Sequence, residues 1–241
     1  MKKNNKGAGE EAFQKIIHLV LSHGLQPGDR IYETNLVETF EMSRTPIREA
    51  LSRLASMGFL EKPWKQKGYK VPLLSPDDMK EIFYTRMVLE GKAARRAAKL
   101  VDEKGKKRLQ NINYQEENTY YANQKDIYAS LNESFHMIVA ELSENQYLQR
   151  YIQQLFWRSN LYIFFFMRFY NVQNVENLKN SEERLSYLEH RKVVDAIIAG
   201  ESESAEKAMQ EHLLIAYYSM LNPGKKPDIN ISEHEFDLGW E

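Results

Sequence analysis

Three of the six histidines stand at spacings with a chemical meaning. Asn132 and His136 are i and i+4 in a helical pattern and so share a face. His190 lies ten residues before Gly200 and His212 twelve residues after it. If segments 178–199 and 201–222 form an antiparallel helix pair around Gly200, the two imidazoles come out level, each about 15–18 Å from the turn. Three imidazoles and one amide oxygen inside a helical bundle can hold a divalent ion such as Zn²⁺, Ni²⁺ or Mn²⁺ and leave positions open for a further ligand. A single histidine on a helix is ordinarily structural or solvated, so the chemistry rests on the convergence of all four residues.

A second constellation is cationic. In Ser43-Arg44-Thr45-Pro46-Ile47-Arg48 the two arginines are four apart and share a helix face. One guanidinium can bind guanine O6 and N7 in bidentate fashion while the other holds a phosphate or a second base. Ser43 and Thr45 can donate to phosphates. Further on, the loop Pro63-Trp64-Lys65-Gln66-Lys67-Gly68 is basic with an aromatic residue inside it. Lys65, Lys67 and Gly68 sit where a wing would meet a duplex, and a glycine there permits close backbone approach. The alternative for both stretches is a surface helix with two solvated arginines and a floppy basic loop.

These residues need elements to position them. Phe13, Ile16, Ile17, Val20 and Leu21 recur at helical spacing from Glu10 to Ser22, and Pro27-Gly28-Asp29 punctuates a turn. A second helix fits Thr34–Phe40 and a third Arg44–Met57, with Ser43 as N-cap, Pro46 in the first turn and Gly58 as the stop. The three residues between them suit two helices crossing steeply. Residues 59–62 and 69–71 read as the two strands of a hairpin. Pro72–Leu74 is a short linker, and Ser75-Pro76-Asp77-Asp78 opens the next helix with a cap, a first-turn proline and acids at the dipole's positive end. Helices are then expected at 76–100, 102–123, 126–143, 146–170, 178–199 and 201–222. Beyond Asn222 the Pro223–Pro227 segment breaks structure, and the tail to Glu241 offers Phe236, Leu238 and Trp240 as docking residues.

The chain has 241 residues, 42% hydrophobic and 28% charged, a globular balance with room for two domains. It has no cysteine, which removes disulfides and thiolate metal sites and fits a reducing cytoplasm. Met1–Lys6 is charged with no apolar run behind it, so no signal peptide is expected. The most apolar stretch, Leu161–Phe166, is too short to span a bilayer. Residues 1–72 carry 12 Lys and Arg against 8 Asp and Glu, while the remainder carries 21 against 26. Only the first part is therefore suited to a polyanion.

Residues 8–72 resemble the DNA-binding domain of the GntR family. Leu25–Ile31 is similar to the family's L-x-P-G-x-x-[LI] turn, and Ser43–Leu54 follows its recognition-helix signature nearly residue for residue. Gly58-Phe59-Leu60 and Lys67–Val71 resemble its G-[LF]-[VIL] and wing G-x-x-V elements. One departure is Thr34, at a position where some members carry a DNA-contacting arginine. Residues 76–222 resemble the all-helical ligand-sensing FCD domain of the family's FadR-type branch. Arg86–Glu90 with Ala93-Ala94 is similar to its opening helix, Asn132–His136 to its [DN]-x-x-F-H element, and Glu189–Arg191 and Met209–Leu213 to its two later histidine elements.

The resemblance implies a mainly α protein: a winged helix-turn-helix (8–72), an all-α helical-bundle domain for sensing and dimerisation (76–222) and a tail (223–241). It implies a DNA-binding transcription regulator, a repressor, acting as a cytoplasmic homodimer on a pseudo-palindromic operator. The DNA-contacting set is Ser43, Arg44, Thr45, Pro46, Arg48, Lys65, Lys67 and Gly68. The metal set is Asn132, His136, His190 and His212, with Asn132 standing where the family usually has Asp. A carboxylate effector completes the shell, with Arg86 and Arg158 as candidate partners; Arg86 can instead pair with Glu90, four residues on. The aromatic run from Phe156 to Phe166 reads as core or dimer interface. Two other readings stand beside this one. A lipid or acyl effector bound without metal would keep the first domain and drop the histidine site. A metal-dependent enzyme would need a general base, and Glu133, Glu189 and Glu211 each adjoin a ligand position and so point elsewhere on the helix; no membrane role is expected.

Overall fold

The structure is a computed structural model that describes residues 5–22, 24–122, 124–166 and 185–221. The chain divides into two compact units, Met1–Asp78 with Trp157–Phe165, and Met79–Phe156 with Phe166–Glu241.

The N-terminal unit opens with α1 (Asn5–Leu21), whose Ala12, Phe13, Ile16, Ile17 and Val20 form one buried stripe. The Asp29 N–H then donates to the Gln26 carbonyl at 3.0 Å, closing a turn with Pro27 second and Gly28 third. Gly28 has φ 96°, the left-handed backbone that such a turn requires at this place. A two-residue strand β1 (Arg30–Ile31) leads into α2 (Glu33–Phe40), and Glu41, in left-handed conformation, turns the chain into α3 (Arg44–Ser56). Ser43 stands at the N-cap of α3 in extended backbone, but its side chain makes no capping bond. Ile47, Ala50, Leu51 and Leu54 of α3 pack on α1, with Leu36 of α2, Ile31, Phe59, Leu60, Tyr69 and Val71. Leu161 is fully buried in the same core, and Trp157 meets Phe13 and Phe59 edge to face.

The small sheet departs from the expected hairpin. The strand β2 (Tyr69–Lys70) pairs antiparallel with β1, Arg30 opposite Lys70 and Ile31 opposite Tyr69. Of the hairpin only a bridge between Glu61 and Lys70 remains. The N–H groups of Phe59 and Leu60 both go to the Leu54 carbonyl, at 3.0 and 3.2 Å, closing the end of α3. They are spent before a ladder can use them, whereas Gly28 and Asp29 exchange bonds with Val71 at 2.9 Å each.

The C-terminal unit is helical throughout its described residues. It comprises α4 (Pro76–Leu100) beyond Asp78, α5 (Glu103–Tyr121), α6 (Lys125–Leu142), the first half of α7 (Gln146–Phe166), α8 (Ser186–Ala199) and α9 (Ser202–Leu221). Ser75 Oγ accepts from the Asp78 N–H and caps α4; Asp102 caps α5 through the Gly105 N–H. Gly200, with φ 77°, ends α8 in left-handed conformation and reverses the chain into α9. One core runs through five of these helices, from Met87, Ala94 and Ala97 to Leu109, Phe135, Val139, Val193, Ile197, Met209 and Leu213. The expected extension of α7 to 170, the start of 178–199 and the tail 223–241 lie outside the described residues. No described helix is long and apolar enough to cross a membrane.

Candidate functional site

In the C-terminal unit, α6, α8 and α9 bring His136, His190 and His212 to one point. Their exposures are 2%, 0% and 3%. The Nε2 atoms of His190 and His212 are 3.2 Å apart and those of His212 and His136 3.4 Å. One ligand atom from each ring lies within 4.8 Å of the others. The Gly200 reversal sets His190 and His212 level on α8 and α9, as the antiparallel pair requires. Asn132 is half-buried one turn before His136 on α6.

Each ring is held from behind by a carboxylate. His136 Nδ1 bonds Glu90 Oε2 at 2.5 Å, His190 Nδ1 bonds Glu116 at 2.8 and 2.9 Å, and His212 Nδ1 bonds Glu189 Oε2 at 2.7 Å. A ring that gives its Nδ1 hydrogen to the carboxylate behind it leaves Nε2 bare, so this arrangement can turn Nε2 lone pairs toward one shared cation. Tetrahedral nitrogen ligands about 2.0–2.1 Å from Zn²⁺ sit about 3.3 Å apart, which the observed spacings match. The network carries one buried guanidinium, Arg86, whose Nε donates to Glu90 Oε1 at 2.6 Å, against three carboxylates. A divalent cation would balance that charge, so the residues present fit a metal ion.

Burial would raise the Glu90 carboxyl, but the Arg86 guanidinium and the His136 ring outweigh it and hold it at about 2. Burial lowers the His136 imidazole to about 4 despite the pull of Glu90, leaving the ring neutral at neutral pH. Apolar walls fix the rings: Phe135 stacks on His190 at 3.9 Å, and Phe156 lies 5.2 Å from His136 and 5.1 Å from the Arg86 guanidinium.

Sequence reasoning missed the carboxylates. It took Glu189 to point away because it adjoins His190, yet Glu189 crosses the α8–α9 pair to His212. Glu90 entered only as a partner for Arg86, and Glu116 not at all. The signal for Glu116 was present: with Asn113 it stands on the buried face of α5 that carries Leu109 and Ile112. Arg86 belongs to the histidine network. Arg158 does not: it stands in the N-terminal unit, where Asp78 at 3.1 Å, Glu61 at 3.2 Å and the Leu73 carbonyl at 3.2 Å take its nitrogens.

The second site lies in the N-terminal unit. Ser43, Arg44, Thr45 and Arg48 are exposed at the start of α3, and Arg48 Nε also reaches Glu33 Oε2 on α2 at 3.3 Å. Pro46 is buried in the unit's core, where it shapes the helix start. Lys65 and Lys67 are exposed on the loop before β2. Gly68, with φ 84°, has a reason internal to the fold: a Cβ there would stand 2.6 Å from the Ile31 carbonyl oxygen and 3.0 Å from the Tyr32 ring. Thr34 is exposed, with its hydroxyl 3.2 Å from Asn35 Oδ1.

Residues 8–71 match the family described as bacterial regulatory proteins, gntR family, and residues 81–214 match the FCD domain. The chain is 29% identical to the HTH-type transcriptional regulator LutR of Bacillus subtilis (strain 168) over 210 residues, covering 78% of this chain and 90% of that protein. It is 25% identical to the HTH-type transcriptional repressor RspR of Escherichia coli (strain K12) over 212 residues, 82% of this chain and 80% of the other. Among solved structures, E. coli McbR/YncC aligns with 89% of this chain and 99% of its own at a TM-score of 0.68 and 22% identity, a likeness of fold.

Proposed function

Because the chain belongs to the GntR family of bacterial regulatory proteins and is a DNA-binding transcriptional regulator with an FCD effector-binding domain, we propose that it is a repressor released from DNA by a small carboxylate. Its relatives and its fold are those of transcriptional regulators and not of enzymes. In this reading it works in the cytoplasm as a homodimer, with two recognition helices on a pseudo-palindromic operator. Ser43, Arg44, Thr45 and Arg48 meet bases and phosphates, while Lys65 and Lys67 grip the backbone. The relative RspR, at 25% identity, is a transcriptional repressor, which favours this sign of control.

The reading of the effector site is carried by one observation, the inward convergence of three Nε2 atoms whose Nδ1 partners are carboxylates. His136, His190 and His212 would hold a divalent ion (Zn²⁺, Ni²⁺ or Mn²⁺), with Asn132 as a weaker neutral donor. A bound ion would supply Lewis-acid attraction for an anion. Because imidazole and amide are all neutral, the protein's direct ligands subtract nothing from that attraction, which favours a carboxylate effector. Arg86 holds Glu90, and through it the His136 ring. Linkage then requires DNA and effector to change each other's affinity by one common factor.

The test is a thermal melt of the full chain as isolated, after chelation, and after adding back Zn²⁺, Ni²⁺ or Mn²⁺, beside a His190→Ala/His212→Ala control. An ion at 100 times its Kd adds about 2.7 kcal/mol to the folded state. Restoration in the parent and none in the control supports the site. Identical melts in all conditions sink it and turn the search to lipid or acyl effectors bound without metal.

A further inference from the structure

Along α5, Lys104, Lys107, Asn111, Tyr114, Asn118 and Tyr121 recur at spacings of three and four and so form one stripe. All of them are exposed, on the side of the helix away from the buried Leu109, Ile112 and Glu116. The stripe has cations at one end, open rings at the other (Tyr114 at 63% and Tyr121 at 71% exposure) and amides between, with no acid in it. A single exposed ring is ordinary, but rings and cations ordered along one face make a patterned surface. The acids beside the stripe are engaged. Asp102 caps α5, Glu103 is 2.9 Å from Lys106 and Glu117 2.7 Å from Arg191. Glu141, which also feels Lys104, is gripped through both oxygens by Arg108 at 2.9 and 2.7 Å. Lys104 and Lys107 are left as the stripe's own cations.

The complementary partner is in the same chain. Glu233-His234-Glu235-Phe236-Asp237-Leu238-Gly239-Trp240-Glu241 alternates strictly: odd positions hold acids and one glycine, even positions His, Phe, Leu and Trp. Period two is the pattern of an extended segment with one acidic and one apolar face. The segment has no lysine or arginine. The fold also brings its root to the right place. Because α8 and α9 run antiparallel around Gly200, Leu221 at the end of α9 stands where α8 begins. There α5 ends as well, with Tyr121 Oη 3.1 Å from Tyr187 Oη. α5 lies beside α8 and α8 beside α9, as the bonds of His190 to Glu116 and His212 require. Packed helices are about 8–10 Å apart, so the path from α9 past α8 to α5 is about 20 Å. Residues 222–232 can bridge up to about 40 Å when extended. The stripe then runs about 26 Å from Tyr121 to Lys104, and an extended chain from 233 to 241 spans about the same.

We propose that the outer face of α5 is the docking surface for the chain's own segment Glu233–Glu241, which enters at Tyr121 and runs toward Lys104. The acids of the segment meet Lys104 and Lys107, and its apolar face lies on Tyr114 and Tyr121. Asn111 and Asn118 offer amide donors to its carbonyls.

The chain has no cysteine, so a disulfide can report the contact. Full-length Asn111→Cys/Gly239→Cys is oxidised mildly and run denatured without reductant. The expected product is a fast-migrating monomer with an intrachain bridge, formed at a rate independent of protein concentration. Lys104→Glu/Lys107→Glu in this background should slow bridge formation several-fold, as the loss of exposed ion pairs does. Raising the salt should slow it in the parent as well. Adding Glu233→Lys/Glu235→Lys/Asp237→Lys to the reversed lysines should restore the rate. Tyr114→Ala should slow it several-fold with no charge changed. A bridge whose rate ignores both charge sets reports chance collisions of a tethered thiol and overturns the proposal. A dimer band in place of the fast monomer also overturns it and assigns the segment to a second copy. A third result would do the same: Glu233→Gln/Glu235→Gln/Asp237→Asn tightens DNA binding while Lys104→Glu/Lys107→Glu leaves the bridge unchanged. The segment would then cover the basic N-terminal unit. Thermal melts confirm the fold of each variant, since the substituted α5 residues are exposed and outside the core.

Discussion

The two units solve opposite problems with similar residue types. In the N-terminal unit the proposed contact residues are exposed, and the fold's work is to present them: Arg44 and Thr45 project from the first turn of α3, and Lys65 and Lys67 from the loop before β2. In the C-terminal unit they are buried, and the fold's work is to lock them: His136, His190 and His212 each have a carboxylate behind them and an aromatic or helical wall beside them. The difference matches the targets proposed for them. A duplex brings its own charge and water and must be met at the surface. A small ion must be stripped of water, and ligands that wait in place spare it the cost of ordering them. The two regions also depend differently on neighbours. Exposed arginines can be replaced with little effect on the fold, whereas each buried group is held by the next.

That contrast can be broken by substitution, and the largest effect belongs to Arg86→Ala. It leaves Glu90 charged and buried beside His136, and breaking a buried ion pair from one side costs about 3–5 kcal/mol. The thermal midpoint should fall steeply, while Arg44→Ala leaves it within the scatter of surface changes. Acid adds a second reading of the same pair. Glu90 is held at about 2 in the folded protein, below the ordinary value of about 4.3. Its contribution is therefore complete above about pH 4.3 and is lost as pH falls toward 2. Without Arg86 burial pushes the Glu90 carboxyl back up, so this acid-sensitive contribution should shrink. Equal midpoints for Arg86→Ala and Arg44→Ala would erase the distinction between a locked and a presented region.

Glu116→Gln is a finer probe. The amide keeps the size of the side chain but removes the charge behind His190, and such changes weaken metal binding by about 10- to 100-fold. Competition with a chromophoric chelator reads this directly, with the fold retained. An unaltered affinity would reduce the carboxylates to packing. The smallest effect is expected from Gly68→Ala. Left-handed backbone costs a residue with a Cβ about 1–2 kcal/mol, and the Ile31 carbonyl stands in the way. Denaturant unfolding of the N-terminal unit should register it, together with weaker DNA binding from a displaced loop. A silent Gly68→Ala would mean that presentation does not need this rigidity.

The helices were legible in the sequence because their apolar residues recur at helical spacing: α2, α3, α4 and α9 fall within a residue or two of expectation. The three histidines were legible as well, since spacing around Gly200 fixes the level of His190 and His212. What escaped depends on contacts between distant segments. Glu189 was judged by its sequence neighbour, yet its partner lies across a helix pair. Glu116 sits on a different helix from the ring it holds. Arg158 was read as a candidate partner for a carboxylate effector, and only the three-dimensional arrangement puts Asp78, Glu61 and Leu73 at its nitrogens. The strand β1 was overlooked because two residues leave no period to read, and its pairing was set by which N–H groups α3 had already consumed.

The N-terminal unit closes its core with Trp157 and Leu161, residues from far downstream on α7. It is therefore not a cassette. Cut free after its linker, it would leave Phe13 and Phe59 uncovered, and grafted onto another sensor it would need a matching stretch of helix from the new host. Exchange of parts between regulators built this way has to move two separate pieces of gene at once, so the reader and its sensor are bound to change together.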